Sequence, residues 1–290
     1  MKKFLAVALA AALSAGILAG CNKEEKAADT TPEVTANEQS EETEETEGGT
    51  INVGATPAPH AEILNAAKDL MADKGYELII TEFTDYIQPN LTLEAGDIDA
   101  NFFQHTPYLD DFNAENGTHI VAVAPIHYEP LGLYPGKTAT IDELPDGASI
   151  AVPNDTTNEA RALLLLEANG IIEIDKEAGL KATKLDITAN PKNIDIVEME
   201  AAQLARTLED VDMAVINGNY AIQAGLNAET DAIAKEEKDS LAAETYANVL
   251  CVKEGNEGDG AVKALIEVLT SDEIKTFIED TYEGAVVPMF

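Results

Sequence analysis

Leu93-Glu-Ala-Gly-Asp-Ile-Asp-Ala-Asn101 is echoed by Leu208-Glu-Asp-Val-Asp-Met-Ala214, with Asn217 three residues on. In each stretch a helix ends, an Asp-x-Asp turn follows, and a strand delivers polar residues at its C-terminal end. Ligands of open α/β sheets gather at that end of the strands. Two such modules in one chain imply two α/β lobes facing one cleft. The neighbouring segments agree with this. Ile51-Asn-Val-Gly-Ala55 reads as a short strand, and 77–83 as the next. Residues 60–74 place Ile63, Leu64, Ala67, Leu70 and Met71 on one helical face, and Gly75 stops the helix. Pro89 suits the first turn of a helix over 90–94. Thr106-Pro107 opens another, by cap and first-turn proline. A second set starts at Ser149-Ile-Ala-Val152. Thr156 with Glu159 reads as a capping box for a helix that runs to Ala168. Segments 194–197, 201–209, 213–216 and 220–226 continue the alternation.

The chain begins MKKFLAVALAAALSAGILAGC. Lys2 and Lys3 precede an apolar run too short and too rich in small residues for a comfortable membrane span. A secretory signal ends in small residues; here Leu18-Ala19-Gly20 leads into Cys21, which resembles the lipobox of bacterial lipoproteins. The resemblance implies a signal peptide over 1–20, cleavage before Cys21, and palmitate-type acyl chains on its thiol and new amine. At roughly 0.8 kcal/mol per buried CH₂, several chains make a durable anchor. The expected location is the extracytoplasmic face of the cell membrane; the alternative is a plain signal peptide with an incidental cysteine. Residues 22–50 carry ten acidic and two basic side chains, and Val34 is their only sizeable apolar residue. Such a stretch cannot bury enough surface to offset chain entropy, so 21–50 is expected to be a lipidated cysteine followed by a disordered acidic tether.

The whole chain has a formal net charge of −36. A surface this acidic repels nucleic acid and anionic lipid. Cys251 is the one cysteine besides Cys21, so no intrachain disulfide is expected in the mature body; it sits in the apolar run Asn248-Val-Leu-Cys-Val252 and reads as a buried strand thiol. The chain contains no G-x-S-x-G, no H-E-x-x-H and no phosphate-cradling glycine loop, which argues against an enzyme. A metal importer would use several histidines with a carboxylate. The histidines are His60, His105, His119 and His127, and no pair has H-x-x-x-H spacing.

Over 51–290 the chain resembles the methionine-binding lipoproteins of bacterial ABC importers, a group within the two-lobed solute-binding proteins. The motifs that carry this are Val53-Gly-Ala-Thr-Pro57 with His60-Ala-Glu62, Asp85-Tyr-Ile-Gln-Pro-Asn90, Asp99-Ala-Asn101 leading into Phe103-Gln-His105, and Pro107-Tyr-Leu109. They continue with Pro130-Leu-Gly-Leu-Tyr134, Ala151-Val-Pro-Asn-Asp155, Asn158-Glu-Ala-Arg-Ala-Leu163, Asn190-Pro191, Val215-Ile-Asn217 with Asn219-Tyr-Ala221, and Gly284-Ala-Val-Val-Pro288. Ala58 departs from the pattern, which has Gly between the two prolines.

The resemblance implies an α/β fold of the two-lobed, type II periplasmic-binding-protein kind. Each lobe is a mixed sheet flanked by helices, with the ligand in the interlobe cleft. Lobe I is expected over 51–124 and 246–290, and lobe II over 125–245. The implied partners are L-methionine, an ABC permease with its ATPase subunits, and the lipid bilayer. D-methionine, methionine sulfoxide, methionine-containing dipeptides, another amino acid and, less favoured, a metal ion stay open as ligands. No cofactor and no catalytic residue is implied.

A free amino acid presents a carboxylate, an ammonium and a side chain. Arg161 and Asn158 share a helical face near a helix start, and a guanidinium fork grips a carboxylate bidentately. Composition alone favours an arginine in an ordinary salt bridge; the motif match moves Arg161 to the ligand carboxylate. It likewise lifts Asn217 from turn residue to a partner of the ammonium and carboxylate, with Asn219 a weaker candidate. Tyr86, Phe103 and His105 form the other wall, where aromatic rings suit a polarizable thioether. Tyr108 is balanced between that wall and the core.

Overall fold

A computed structural model describes residues 48–238 and 241–290. The signal-like segment, Cys21 and the acidic stretch up to residue 47 lie outside the described residues. The first strand begins at Gly49, two residues before the expected start.

The first sheet has the order β2-β1-β3-β12-β4-β13. Its strands are β1 (Gly49–Ala55), β2 (Tyr76–Glu82), β3 (Ala100–His105), β4 (Ile120–Tyr128), β12 (Asn248–Lys253) and β13 (Val287–Pro288). The second has the order β9-β6-β10-β5-β11. It comprises β5 (Gly132–Pro135), β6 (Ser149–Pro153), β9 (Asp195–Met199), β10 (Met213–Ile216) and β11 (Ala234–Lys235); a separate small ladder pairs β7 (Glu173–Ile174) with β8 (Ile187–Ala189). The two sheets share one plan. β1 pairs in parallel with β2 and β3, and β6 in parallel with β9 and β10. Beyond β3 lies antiparallel β12, and beyond β10 lies antiparallel β5.

The Asp-x-Asp echo has a common structural cause. Asp99 Oδ2 accepts the N–H of Asn52 in β1 at 2.8 Å, and Asp212 Oδ2 accepts the N–H of Ser149 at the head of β6, also at 2.8 Å. In both sheets the second aspartate ties the incoming strand to the central one. The Ser149 N–H also holds the Asp212 carboxyl below the usual range.

The helices are α1 (Glu62–Asp73), α2 (Gln88–Ala95), α3 (Thr106–Asn116), α4 (Thr156–Ala168), α5 (Gly218–Gln223), α6 (Leu241–Thr245), α7 (Gly260–Leu269) and α8 (Asp272–Tyr282). α1 buries Ile63, Leu64, Ala67 and Met71 against the first sheet, while Leu70 stays half-buried. Full burial of one such large apolar side chain contributes about 1.5–3 kcal/mol. α7 and α8 add Leu265, Leu269, Ile274 and Ile278 to that core. The second core lies under α4, with Leu163 and Leu166 against Ile150, Val152 and Val215. Cys251 is fully buried and free, and burial pushes its thiol up.

Two helix starts differ from the sequence reading. The cap of α4 is Asp155 rather than Thr156, because the Asp155 carboxylate accepts the Asn158 N–H at 3.0 Å. Glu159 instead accepts the Lys184 N–H. The cap of α3 is His105 rather than Thr106: its Nδ1 accepts the Tyr108 N–H at 3.2 Å.

The chain passes from the first sheet to the second through 129–131 and is back in the first sheet at Asn248 of β12. No helix among the described residues is long and apolar enough to cross a membrane.

Candidate functional site

Three strand-to-helix junctions converge between the lobes. β3 runs into α3 through Phe103 and His105, β6 into α4 through Asp155 and Asn158, and β10 into α5 through Asn217 and Asn219. They line a narrow cleft. All six residues singled out above border it: Tyr86, Phe103, His105, Asn158, Arg161 and Asn217. Tyr108, Gln104, Glu129, Gly218, Asn219 and Asn248 complete the lining.

The lobes touch across this cleft. Tyr86 Oη donates to Asn219 Oδ1 at 2.6 Å, and Tyr220 Oη to the Thr84 carbonyl at 3.2 Å. The His105 tautomer follows from its partners. Nδ1 accepts a backbone N–H, so the proton sits on Nε2, which donates to Asn158 Oδ1 at 3.2 Å. Burial, reinforced by the nearby Arg161 charge, drives the His105 pKa down to about 3, so the ring is neutral.

Aromatic rings cluster beside the cleft. The Tyr86 and Phe103 ring centroids lie 5.9 Å apart, Tyr86 and Tyr108 5.8 Å, and Tyr86 and Tyr220 5.0 Å. Such offset and edge contacts are favourable for aromatic rings. Tyr108 belongs to both alternatives: it packs on Phe103 and Phe112 and also borders the cleft.

Arg161 makes a buried ion pair and also borders the cleft. Its Nε donates to Glu236 Oε1 at 2.8 Å and its Nη2 to Glu236 Oε2 at 2.5 Å and to the Glu129 carbonyl at 3.0 Å. Its guanidinium lies 4.3 Å from the Tyr246 ring centroid. Burial would lower its pKa, but the Glu236 carboxylate outweighs this and holds it above the ordinary value. Burial likewise opposes ionisation of Glu236, and Arg161 prevails there too, keeping that carboxyl below its usual range. The hydrogen bonds of the guanidinium to described residues are made by Nε and Nη2.

The asparagines divide by what they have left. Asn158 is engaged on both ends: Oδ1 accepts from His105 and from Asn217 Nδ2, and Nδ2 donates to Asp155. It therefore positions its neighbours. Asn217 Oδ1 and Asn219 Nδ2 are buried without a hydrogen-bond partner. A buried unpaired polar atom costs about 1–3 kcal/mol, so one acceptor and one donor stand ready for a zwitterion.

Sequence reasoning missed Glu129, Glu236 and Asn248. Asn248 Oδ1 lies 3.1 Å from His60 Nε2. Glu129 Oε1 lies 2.7 Å from His127 Nε2 and 3.5 Å from His60 Nε2. His60, His127 and Glu129 thus bring one ligating atom each within 4.8 Å of one another, and His127 and Glu129 are directly hydrogen-bonded. The only sequence signal was an isolated acid before Pro130 and a polar residue opening an apolar run. Among 54 acidic residues neither glutamate stands out.

The chain matches the NlpA lipoprotein family over residues 51–290. It is 41% identical over 243 residues to the methionine-binding lipoprotein MetQ of Bacillus subtilis, covering 82% of this chain and 88% of that one. A solved nutrient-binding protein from Burkholderia cenocepacia, bound to methionine, is 42% identical with a TM-score of 0.79, over 83% of this chain and 100% of that one. A periplasmic substrate-binding protein of an ABC transporter from Coxiella burnetii is 40% identical with a TM-score of 0.78, over 82% of this chain and 100% of that one.

Proposed function

The chain belongs to the NlpA lipoprotein family, and from that premise we propose how its cleft holds a ligand. The protein is an extracytoplasmic, lipid-anchored solute-binding lipoprotein that captures methionine and delivers it to an ABC importer. It binds and releases; it is not an enzyme. The observation that carries the reading is the buried cleft itself. Tyr86, Phe103 and Tyr108 line it together with Arg161, the unpaired Asn217 Oδ1 and the unpaired Asn219 Nδ2.

In this reading the thioether lies against Tyr86 and Phe103, where sulfur gains from aromatic contact. Arg161 and Asn219 hold the carboxylate, and Asn217 accepts from the ammonium. His105 and Asn158 join the two walls. L-methionine is the proposed enantiomer. Lobe I is proposed to comprise the first sheet with its helices and lobe II the second, close to the expected divisions at 124/125 and 245/246, closing by a hinge where the chain passes between the sheets. A permease with its ATPase subunits is the receiving partner, and Cys21 is the proposed lipid attachment point to the bilayer.

Mass spectrometry of the small molecules released by denaturing the purified protein tests this reading. Methionine is expected, with chiral chromatography reporting the enantiomer. Release of a different amino acid in stoichiometric amount would overturn the ligand assignment.

A further inference from the structure

Glu129 is the one carboxylate among the residues lining the cleft. It is 5% exposed. It follows β4 as the first residue of the crossing segment 129–131, and it packs on Gly218 so closely that a Cβ there would lie 2.6 Å from the Glu129 Cβ and 2.9 Å from its Oε2. A glycine at that position therefore makes room for this acid. The carboxylate is well supplied with hydrogen bonds. His127 Nε2 stands 2.7 Å from Oε1, His60 Nε2 3.5 Å, and the Asn219 backbone N–H donates to it as well.

None of these partners is a cation. Burial lowers the His60 pKa to about 4 and the His127 pKa to about 3, so both rings are neutral near pH 7. Arg161 reaches only the Glu129 main-chain carbonyl and gives its charge to Glu236. Burial without a counter-ion raises the Glu129 pKa, though His60, the Asn219 N–H and Arg161 work the other way. Beside the carboxylate, on the same wall of the cleft, the buried Asn217 Oδ1 has no donor. A carboxyl group whose partners are all uncharged, beside an amide oxygen with no donor, suits a small, donor-rich cation, whose charge would draw the Glu129 group into its ionised form. A buried charge of this kind is stabilised chiefly by a partner of opposite sign.

We propose that Glu129 is the ammonium receptor of the cleft and its specificity-determining acid, so that the site selects α-amino acids over 2-hydroxy acids of the same side chain. His127 and His60 act as positioning residues that hold the carboxylate at the cleft wall. The inference rests on the methionine reading above and deepens it, since Asn217 alone offers a neutral oxygen that a hydroxyl could satisfy as well as an ammonium.

The test is calorimetry on protein refolded free of ligand, with L-methionine and with 2-hydroxy-4-(methylthio)butanoate. The compounds differ only at the group facing Glu129. Wild type should prefer methionine by roughly 100-fold or more, a margin typical of sites that leave a buried polar group unpaired by the wrong ligand. In Glu129→Gln the ratio of the two affinities should fall by about 30-fold or more. Glu129→Asp, which keeps the charge but withdraws it, should retain part of the preference. Thermal unfolding checks the fold of both variants; Glu129→Gln removes a buried carboxyl that has no counter-ion and should unfold no earlier than wild type without ligand. If wild type binds neither compound, the methionine reading fails and the inference falls with it. If wild type binds methionine but Glu129→Gln keeps the wild-type ratio, the inference alone is overturned.

Discussion

Arg161 is tied into the fold by Glu236, and the proposed reading also gives it the ligand carboxylate. Arg161→Ala strips the ligand carboxylate of its charged partner and leaves the Glu236 carboxylate with only Tyr128 Oη at 2.7 Å and the Leu131 N–H at 2.9 Å. The affinity for methionine should fall by about 2–4 kcal/mol, roughly 30- to 1,000-fold. Removal of one partner from a buried ion pair costs about 3–5 kcal/mol of stability, so the unfolding midpoint should fall as well. Glu236→Gln separates the two effects: it should lower the midpoint while weakening methionine far less than Arg161→Ala does. A folded Arg161→Ala that binds as wild type does would place the carboxylate clamp elsewhere. His127 offers a test by pH. Its folded pKa, driven down to about 3 by burial, lies below the unfolded value of about 6.5. Between these values the unfolded chain holds more protons at this site, so its contribution to stability falls as pH drops from about 6.5 toward 3. Urea titrations of wild type and His127→Gln should therefore show wild type losing its margin progressively below pH 6.5; a constant difference would contradict a neutral buried ring. The motif match made Arg161 and Asn217 legible. Glu236 was not, because it lies 75 residues from Arg161 and meets it only where the chain crosses back between the lobes.

At the scale of elements, the cleft is a property of strand ends. β3, β6 and β10 each hand over to a helix within a residue or two, and the residue at each handover does site chemistry. His105 caps α3 and reaches Asn158 with its other nitrogen. Asp155 caps α4 and fixes the Asn158 amide at 2.8 Å. The loss of such a cap costs about 0.5–2 kcal/mol. Asp155→Ala should show that loss in thermal unfolding and also weaken methionine several-fold, because Asn158 then no longer orients His105 and Asn217. Asp155→Asn keeps an accepting oxygen and should recover most of both; an Asp155→Ala protein with a lowered midpoint but wild-type affinity would break the link between cap and site. The alternation of strands and helices was readable from periodicity, and the Asp-x-Asp echo pointed to the repeated plan. The caps were misread by one residue each. Serine, threonine, aspartate and asparagine all signal helix starts; in Asp155-Thr156 the aspartate takes that role, and in His105-Thr106 a cleft histidine does.

At the scale of the molecule, two sheets of one plan meet over a cleft whose walls are joined by Tyr86 to Asn219, His105 to Asn158 and Tyr220 to the Thr84 carbonyl. These bonds run between lobes linked by the segments at 129–131 and 236–247. Opening must break them, and a bound zwitterion supplies further bonds to both sides of the cleft, which is how a ligand with higher affinity for the closed form shifts the population toward it. The acidic surface acts on a different level: a net charge of −36 bears on solubility and encounter, not on the fold. The central claim is that this cleft is shaped for one zwitterion with a flexible thioether side chain. It is tested most directly by calorimetry of ligand-free protein against methionine, leucine, glutamate and histidine under one buffer. Methionine should bind tighter than each of the other three by at least about tenfold, a margin of about 1.4 kcal/mol; equal or tighter binding of leucine, glutamate or histidine would contradict the account.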